Sequence, residues 1–176
     1  ISDQAGITIT MTGDTNDDED QTIVGSAAKD NVTTATGDDY VIGNGGADTI
    51  DVVAGANTVV GGAGADSITG GAGVDSLLGG AGDDFIDTDE GADYADGGAG
   101  DDVIFWSANA DNDGGEGVDA DNTIAGGEGT DSLLIWSGED GAQVDLDSTV
   151  NVTGIERVDI GSGVAAGVFN VTNDFL

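Results

Sequence analysis

Residues 61–87 read GGAGADSIT-GGAGVDSLL-GGAGDDFID, three nine-residue units laid end to end. Gly holds the first, second and fourth places of each unit, Asp the sixth and an aliphatic residue the eighth. A short fixed period of this kind marks a solenoid, whose repeats bury their apolar side only against their neighbours. Counting in nines from Asn16 to Phe105 gives ten units in one register. The eighth place is apolar throughout: Ile23, Val32, Val41, Ile50, Val59, Ile68, Leu77, Ile86, Ala95 and Ile104. The sixth is Gln21, Asp30, Asp39, Asp48, Asn57, Asp66, Asp75, Asp84, Asp93 and Asp102. Gly fills the fourth place from Gly37 to Gly100.

Each column has a physical reading. Gly clusters make tight turns, because Gly reaches positive φ and lets another backbone come close. The three residues after each turn, such as Ser67-Ile68-Thr69, form a short strand with one side chain in and two out. Nine residues then make half a flattened coil, and eighteen a full coil with two strands. The expected fold is all-β, a parallel β-solenoid of two stacked sheets with a thin core. A coil buries too few aliphatic side chains to offset the entropy of ordering its backbone. Stacking also brings Asp side chains of like charge together, so a cation is required between them.

The chemistry of the turns points to Ca²⁺. The sixth-place residues supply carboxylates, and Gly-rich turns expose carbonyls. An all-oxygen, flexible cage without His or Cys suits that ion. Turns on the same side lie two units apart. The expected pairs are Asp48/Asp66, Asp66/Asp84 and Asp84/Asp102 on one edge, and Asp39/Asn57, Asn57/Asp75 and Asp75/Asp93 on the other. Asn57 keeps an oxygen but no charge, which predicts weaker sites beside it. Asp30 and Asp131 extend the carboxylate set. The candidate glycines are Gly37, Gly46, Gly62, Gly64, Gly71, Gly73, Gly80, Gly82, Gly98 and Gly100. The unit opening Thr88-Asp89-Glu90 departs from Gly-Gly, which predicts a distorted turn or an added carboxylate.

The nonapeptide GGxGxDxUx, with U a large aliphatic residue, resembles the RTX (repeat-in-toxin) family of secreted bacterial proteins. The resemblance covers about Asn16 to Leu134, the first two units being degenerate. It implies a parallel β-roll with several Ca²⁺ ions in its turns, export by a type I secretion system, and folding outside the cell where calcium is met.

Composition narrows the function. The net charge is −34, with 30 Asp and 6 Glu against Lys29 and Arg157. Such a charge argues against nucleic acid or an anionic membrane as partner. Halophilic adaptation would use Glu as freely as Asp and would not place Asp at one column. No Cys means no disulfide framework, which moves the staple of an extracellular domain from sulfur to metal. No run approaches the ~20 apolar residues of a membrane span. No signal peptide is read at Ile1, and the absence of an initial Met predicts a fragment or processed product.

Catalytic constellations are missing. Without His there is no imidazole base and no Ser-His pair. Carboxylate pairs abound, but the repeat accounts for them, so no enzyme is expected. No GxxxxGK[ST] occurs, and an Asp in every turn would repel phosphate. The third and fifth places lack the Thr and Asn file of an ice-binding face.

Three segments are expected: an N-terminal strand or cap at 1–15, the roll at 16–134 with an insertion at about 106–121, and a β-rich C-terminal cap at 135–176. Ile7, Ile9 and Met11 alternate as a strand, and residues 16–20 read as a solvated acidic turn. Tyr40, Ile42, Val60, Leu78, Phe85, Tyr94, Val103 and Phe105 fall on outward faces, to be covered by the terminal segments. Phe105-Trp106-Ser107 and Ile135-Trp136-Ser137 follow similar units, and each Trp is expected over the side or end of the roll. Further strands are read at 142–146, 158–160 and 168–171. Residues 152–159 resemble the segment that often follows RTX arrays and covers the last coil. Arg157 is expected to pair with a nearby carboxylate. Asn173-Asp174-Phe175-Leu176 resembles the extreme C-terminus of some type I secreted proteases and lipases, or is simply where this piece stops.

The function read from these residues is a calcium-binding structural segment of a secreted or cell-surface protein, of adhesin or surface-layer (S-layer) type. The alternative is the C-terminal roll of a type I secreted protease or lipase. Self-association through outward apolar strands, or contact with neighbouring domains of the same protein, is a further expectation.

Overall fold

In the computed structural model, which describes residues 5–10, 19–107, 122–136 and 151–160, the chain winds as a parallel β-roll. One sheet holds the strands β1 (Thr8–Thr10), β3 (Asn31–Thr33), β5 (Thr49–Asp51), β7 (Ser67–Thr69), β9 (Phe85–Asp87), β11 (Val103–Ser107), β13 (Ser132–Trp136) and β15 (Arg157–Ile160). The other holds β2 (Thr22–Val24), β4 (Tyr40–Gly45), β6 (Thr58–Ala63), β8 (Ser76–Ala81), β10 (Tyr94–Ala99), β12 (Thr123–Glu128) and β14 (Asn151–Thr153). Every neighbouring pair is parallel, and successive strands of the chain alternate between sheets.

The eighteen-residue coil is visible in the register, where Ile50 faces Ile68 and Ile68 faces Ile86. The eighth-place residues point inward from both sheets and form the core: Val32, Val41, Ile50, Val59, Ile68, Leu77, Ile86, Ala95 and Ile104 are all buried. Their flanking neighbours face out, so a half-coil contributes one main core side chain. Tyr40, Phe85 and Tyr94 are about two-fifths exposed. Ile42, Val60, Leu78, Val103 and Phe105 are half-buried. Most of the terminal segments expected to cover them lie outside the described residues.

The coil length changes once inside the array. Asp84 to Asp102 is 18 residues, but the next equivalent of Asp102 is Asp131, 29 further on. The extra residues fall between Ser107 and Asn122, because β11 runs through Ser107 and Asn122 leads directly into β12. Trp106 is therefore part of a strand, and its side chain is 1 % exposed within the core. This corrects the expectation that it lies over the side or end. Two residues beyond inward-facing Ile104, it takes the same face of the strand. The register sets Trp106 against Ile135 and Ser107 against Trp136, so the two Trp-Ser pairs are one residue out of step. The side chain of Trp136 lies outside the described residues.

At the N-terminal end β1 pairs with β3, and Ile9 packs against the core. At the other end β14 and β15 add to β12 and β13, with Val152 in the core and Ile155 packed on it. The expected strand at 158–160 is part of β15, while those at 142–146 and 168–171 lie outside the described residues. Arg157 pairs with Asp159, both well exposed, so this bridge contributes little. Among the described residues no helix is long and apolar enough to cross a membrane.

Candidate metal centre

The turns form two rims. Residues 25–30, 43–48, 61–66, 79–84, 97–102 and 126–131 carry the chain in one direction between the sheets and make the first rim. Residues 34–39, 52–57, 70–75 and 88–93 return it and make the second. Each turn ends on a sixth-place residue that points inward, and all nine of these Asp residues from Asp30 to Asp131 are at most 3 % exposed.

Their hydrogen bonds form a ladder. The Asp66 N–H donates to Asp84 Oδ1 at 2.7 Å, and Asp84 N–H to Asp102 Oδ1 at 2.8 Å. The same step joins Asp30 to Asp48 (2.7 Å), Asp48 to Asp66 (2.8 Å) and Asp102 to Asp131 (2.8 Å). Asp131 N–H ends the file on Glu156 Oε2 at 2.8 Å. On the second rim Gln21 donates to Asp39, Asp39 to Asn57, Asn57 to Asp75 and Asp75 to Asp93, all at 2.8–2.9 Å. Asp93 N–H reaches Asn122 Oδ1 at 2.5 Å. Each expected neighbour pair is thus brought together. Asn122 and Glu156 are rungs that the nonapeptide count misses, the first because the insertion shifts its frame, the second because its segment has no repeat.

A second ladder runs on the outer surface in the opposite direction. Fifth-place Asp38 accepts from Ala56 N–H at 2.7 Å, and Asp83 from Asp101 N–H at 3.0 Å. These carboxylates are exposed and need no ion to be solvated.

The inner carboxylates are different. One oxygen takes the N–H of the coil before. The other, Oδ2, is buried without a hydrogen-bond partner at Asp39, Asp48, Asp66, Asp75, Asp84, Asp102 and Asp131. A buried, unsatisfied carboxylate oxygen is costly, and neighbouring coils repeat the charge. Burial pushes the carboxyls of Asp48, Asp66, Asp102 and Asp131 above the usual range. It pushes Asp84 up to about 7, with the charges of Asp66, Asp102 and Asp83 adding to the effect. Asp75 rises to about 6, against hydrogen bonds from the backbone and side chain of Asn57. Asp30 is the exception. Burial raises it, but Ser26 N–H, Ile7 N–H and the Ser26 hydroxyl bind its two oxygens, and the net shift is downward. Asp30, expected as a ligand, is satisfied by protein donors.

The donor set fits a hard divalent cation. A Cβ placed on Gly61 would lie 2.5 Å from Asp66 Oδ2 and 2.7 Å from the Gly79 carbonyl oxygen. On Gly79 the corresponding distances are 2.5 Å to Asp84 Oδ2 and 2.6 Å to the Gly97 carbonyl. Glycine there leaves a cradle where an orphan carboxylate oxygen and a carbonyl of the next coil converge. Among the described residues no three acidic side chains gather at one point, so a cation held there would need carbonyl or water oxygens beside the carboxylate. Gly62 and Gly80, at φ 118° and 117°, hold the turn in a region that a side chain rarely adopts. Of the departing unit, Asp89 takes φ 56° while Glu90 keeps the bridge to Ala72.

No curated protein and no solved structure gives a significant match to the chain. The family model described as RTX calcium-binding nonapeptide repeat (4 copies) matches at residues 12–50, 24–58, 51–86, 70–104 and 78–114. Together these spans cover more than half of the sequence and contain most rungs of both ladders, so the chain belongs to the RTX calcium-binding nonapeptide repeat family.

Proposed function

We propose that this roll is a calcium-dependent structural segment of a secreted or cell-surface protein, of adhesin or surface-layer type, whose ligands are the inner-ladder carboxylates and the carbonyls of the Gly turns. The observation that carries the reading is the repeated Oδ2 oxygen, buried and without a hydrogen-bond partner in coil after coil. Where Ca²⁺ is scarce those oxygens repel one another and the chain stays unfolded, the state that export requires. Where Ca²⁺ is abundant the ion binds only the folded coil. Stability then rises by RT ln(1 + [L]/Kd) per site, about 2.7 kcal/mol at a hundredfold excess over Kd.

Calcium titration followed by circular dichroism tests this. The expected result is a disordered chain in chelator, a cooperative gain of β signal in millimolar Ca²⁺, and no comparable gain with Mg²⁺. An unchanged β spectrum in excess chelator contradicts it. The surface-protein reading is separated from a protease or lipase module by the sequence of the parent protein, where HExxH or GxSxG would select the enzyme.

A further inference from the structure

The two rims are not equivalent. On the first rim the inward first place of the turn is Gly in every coil: Gly25, Gly43, Gly61, Gly79, Gly97 and Gly126. On the second rim the same inward place holds Thr34, Val52, Gly70, Thr88 and Trp106. All five are buried, so four of the five bring a side chain into the position that is a cradle on the first rim. The Thr34 and Thr88 hydroxyls turn to backbone carbonyls, at 3.4 and 3.5 Å.

Charge follows the same division. Every sixth place on the first rim is Asp. On the second, the turn that opens with Val52 ends on Asn57, and the one that opens with Trp106 ends on Asn122. Where an apolar side chain fills the cradle, the carboxylate is replaced by an amide. Asn57 then offers an N–H where Asp would offer a bare oxygen, and its Nδ2 donates to the Gly55 carbonyl at 3.4 Å. Backbone geometry divides too. Strands β4, β6, β8, β10 and β12 run through the third place of first-rim turns, whereas the second rim keeps only single bridges at Thr36, Ala54, Ala72 and Glu90.

We propose that, among the described turns, divalent cations load this roll chiefly along the first rim, at the cradles of Asp48, Asp66, Asp84, Asp102 and Asp131, while the second rim is narrowed by its own side chains and keeps one open cradle, at Gly70 and Asp75. Gly70 is the one second-rim position with the first-rim design. A Cβ there would stand 3.0 Å from both Asp75 Oδ2 and the Thr88 carbonyl oxygen, and Asp75 stacks on a second carboxylate, Asp93. The inference rests on the calcium-binding reading above and adds where the ions go. One flank is a file of ions and the other a file of packed side chains broken at Gly70, so the first carries most of the response to calcium.

Native mass spectrometry of the whole chain in Ca²⁺ tests it, comparing wild type with Asp66→Asn on the first rim and Asn57→Ala on the second. The expected result is loss of at least one ion in Asp66→Asn and an unchanged count in Asn57→Ala. Equal losses in both variants overturn the one-sided loading but leave calcium binding intact. A wild type that takes up no Ca²⁺ overturns the calcium reading itself. Should Asp66→Asn not fold, anomalous scattering from crystals of the calcium-loaded wild type replaces it. Peaks beside Gly61 and Gly79 with none beside Val52 or Trp106 support the proposal, and peaks of equal height on both rims overturn it.

Discussion

Asp66 serves two neighbours with one carboxylate. Its Oδ1 accepts the N–H of Asp48, and its Oδ2 faces the cradle at Gly61. The residue therefore fixes coil-to-coil register and offers an ion ligand together, and Gly61 matters as much as the acid. Substituting the equivalent Gly79 by Val puts carbon against Asp84 Oδ2 and the Gly97 carbonyl, where nothing yields easily. Such overpacking costs roughly 1–3 kcal/mol. Gly79→Val is expected to raise the calcium concentration needed for half-folding, read by circular dichroism; an unshifted midpoint would show that the cradle holds nothing. Trp106 marks the opposite solution, a large apolar side chain filling the inner column.

At the scale of strands and turns, each sheet is a row of parallel rungs, and the ladders tie each turn to the next. The raised carboxyl groups set a pH response. In the metal-free roll Asp84 titrates at about 7 and Asp75 at about 6, above the ordinary value of 3.8. The folded chain then binds protons more tightly than the unfolded one. That contribution to stability is complete below about pH 4 and is lost as pH rises through 6 to 7. In chelator, acidification from pH 7.5 to 5 is expected to raise the folded fraction. In calcium the same change is expected to raise the half-folding concentration, because protons compete for the same oxygens. Circular dichroism at several pH values, in chelator and across a calcium titration, checks both signs, and a metal-free chain whose β signal falls on acidification contradicts them.

Much of this organisation was legible in the nonapeptide. The apolar eighth place gave the core, and the sixth place gave most rungs of the ladders, because both columns repeat at a fixed spacing. What the period of nine concealed was the difference between rims. It folds Gly61 and Val52 into one column, although the physical repeat is the eighteen-residue coil. Asn122 was hidden by the insertion, which breaks the count without breaking the stack. Glu156 has no repeat signature, and only the pairing of β15 with β13 brings it to Asp131. Trp106 misled because a strand two residues longer than the repeat's own carries it inward.

Over the described residues the molecule is a one-dimensional stack of coils, each paired with the coils beside it. The chain carries a net charge of −34, with Lys29 and Arg157 its only basic residues. Because each rung holds the N–H of the coil before, an ion at one cradle fixes its neighbours, so folding and loading should advance together along the stack. Amide hydrogen exchange at Asp48, Asp66 and Asp84 tests this most directly, since their N–H groups are the rungs themselves. Strong protection in millimolar Ca²⁺, with exchange at unfolded-chain rates in chelator, is the predicted result; equal protection in both would contradict the account.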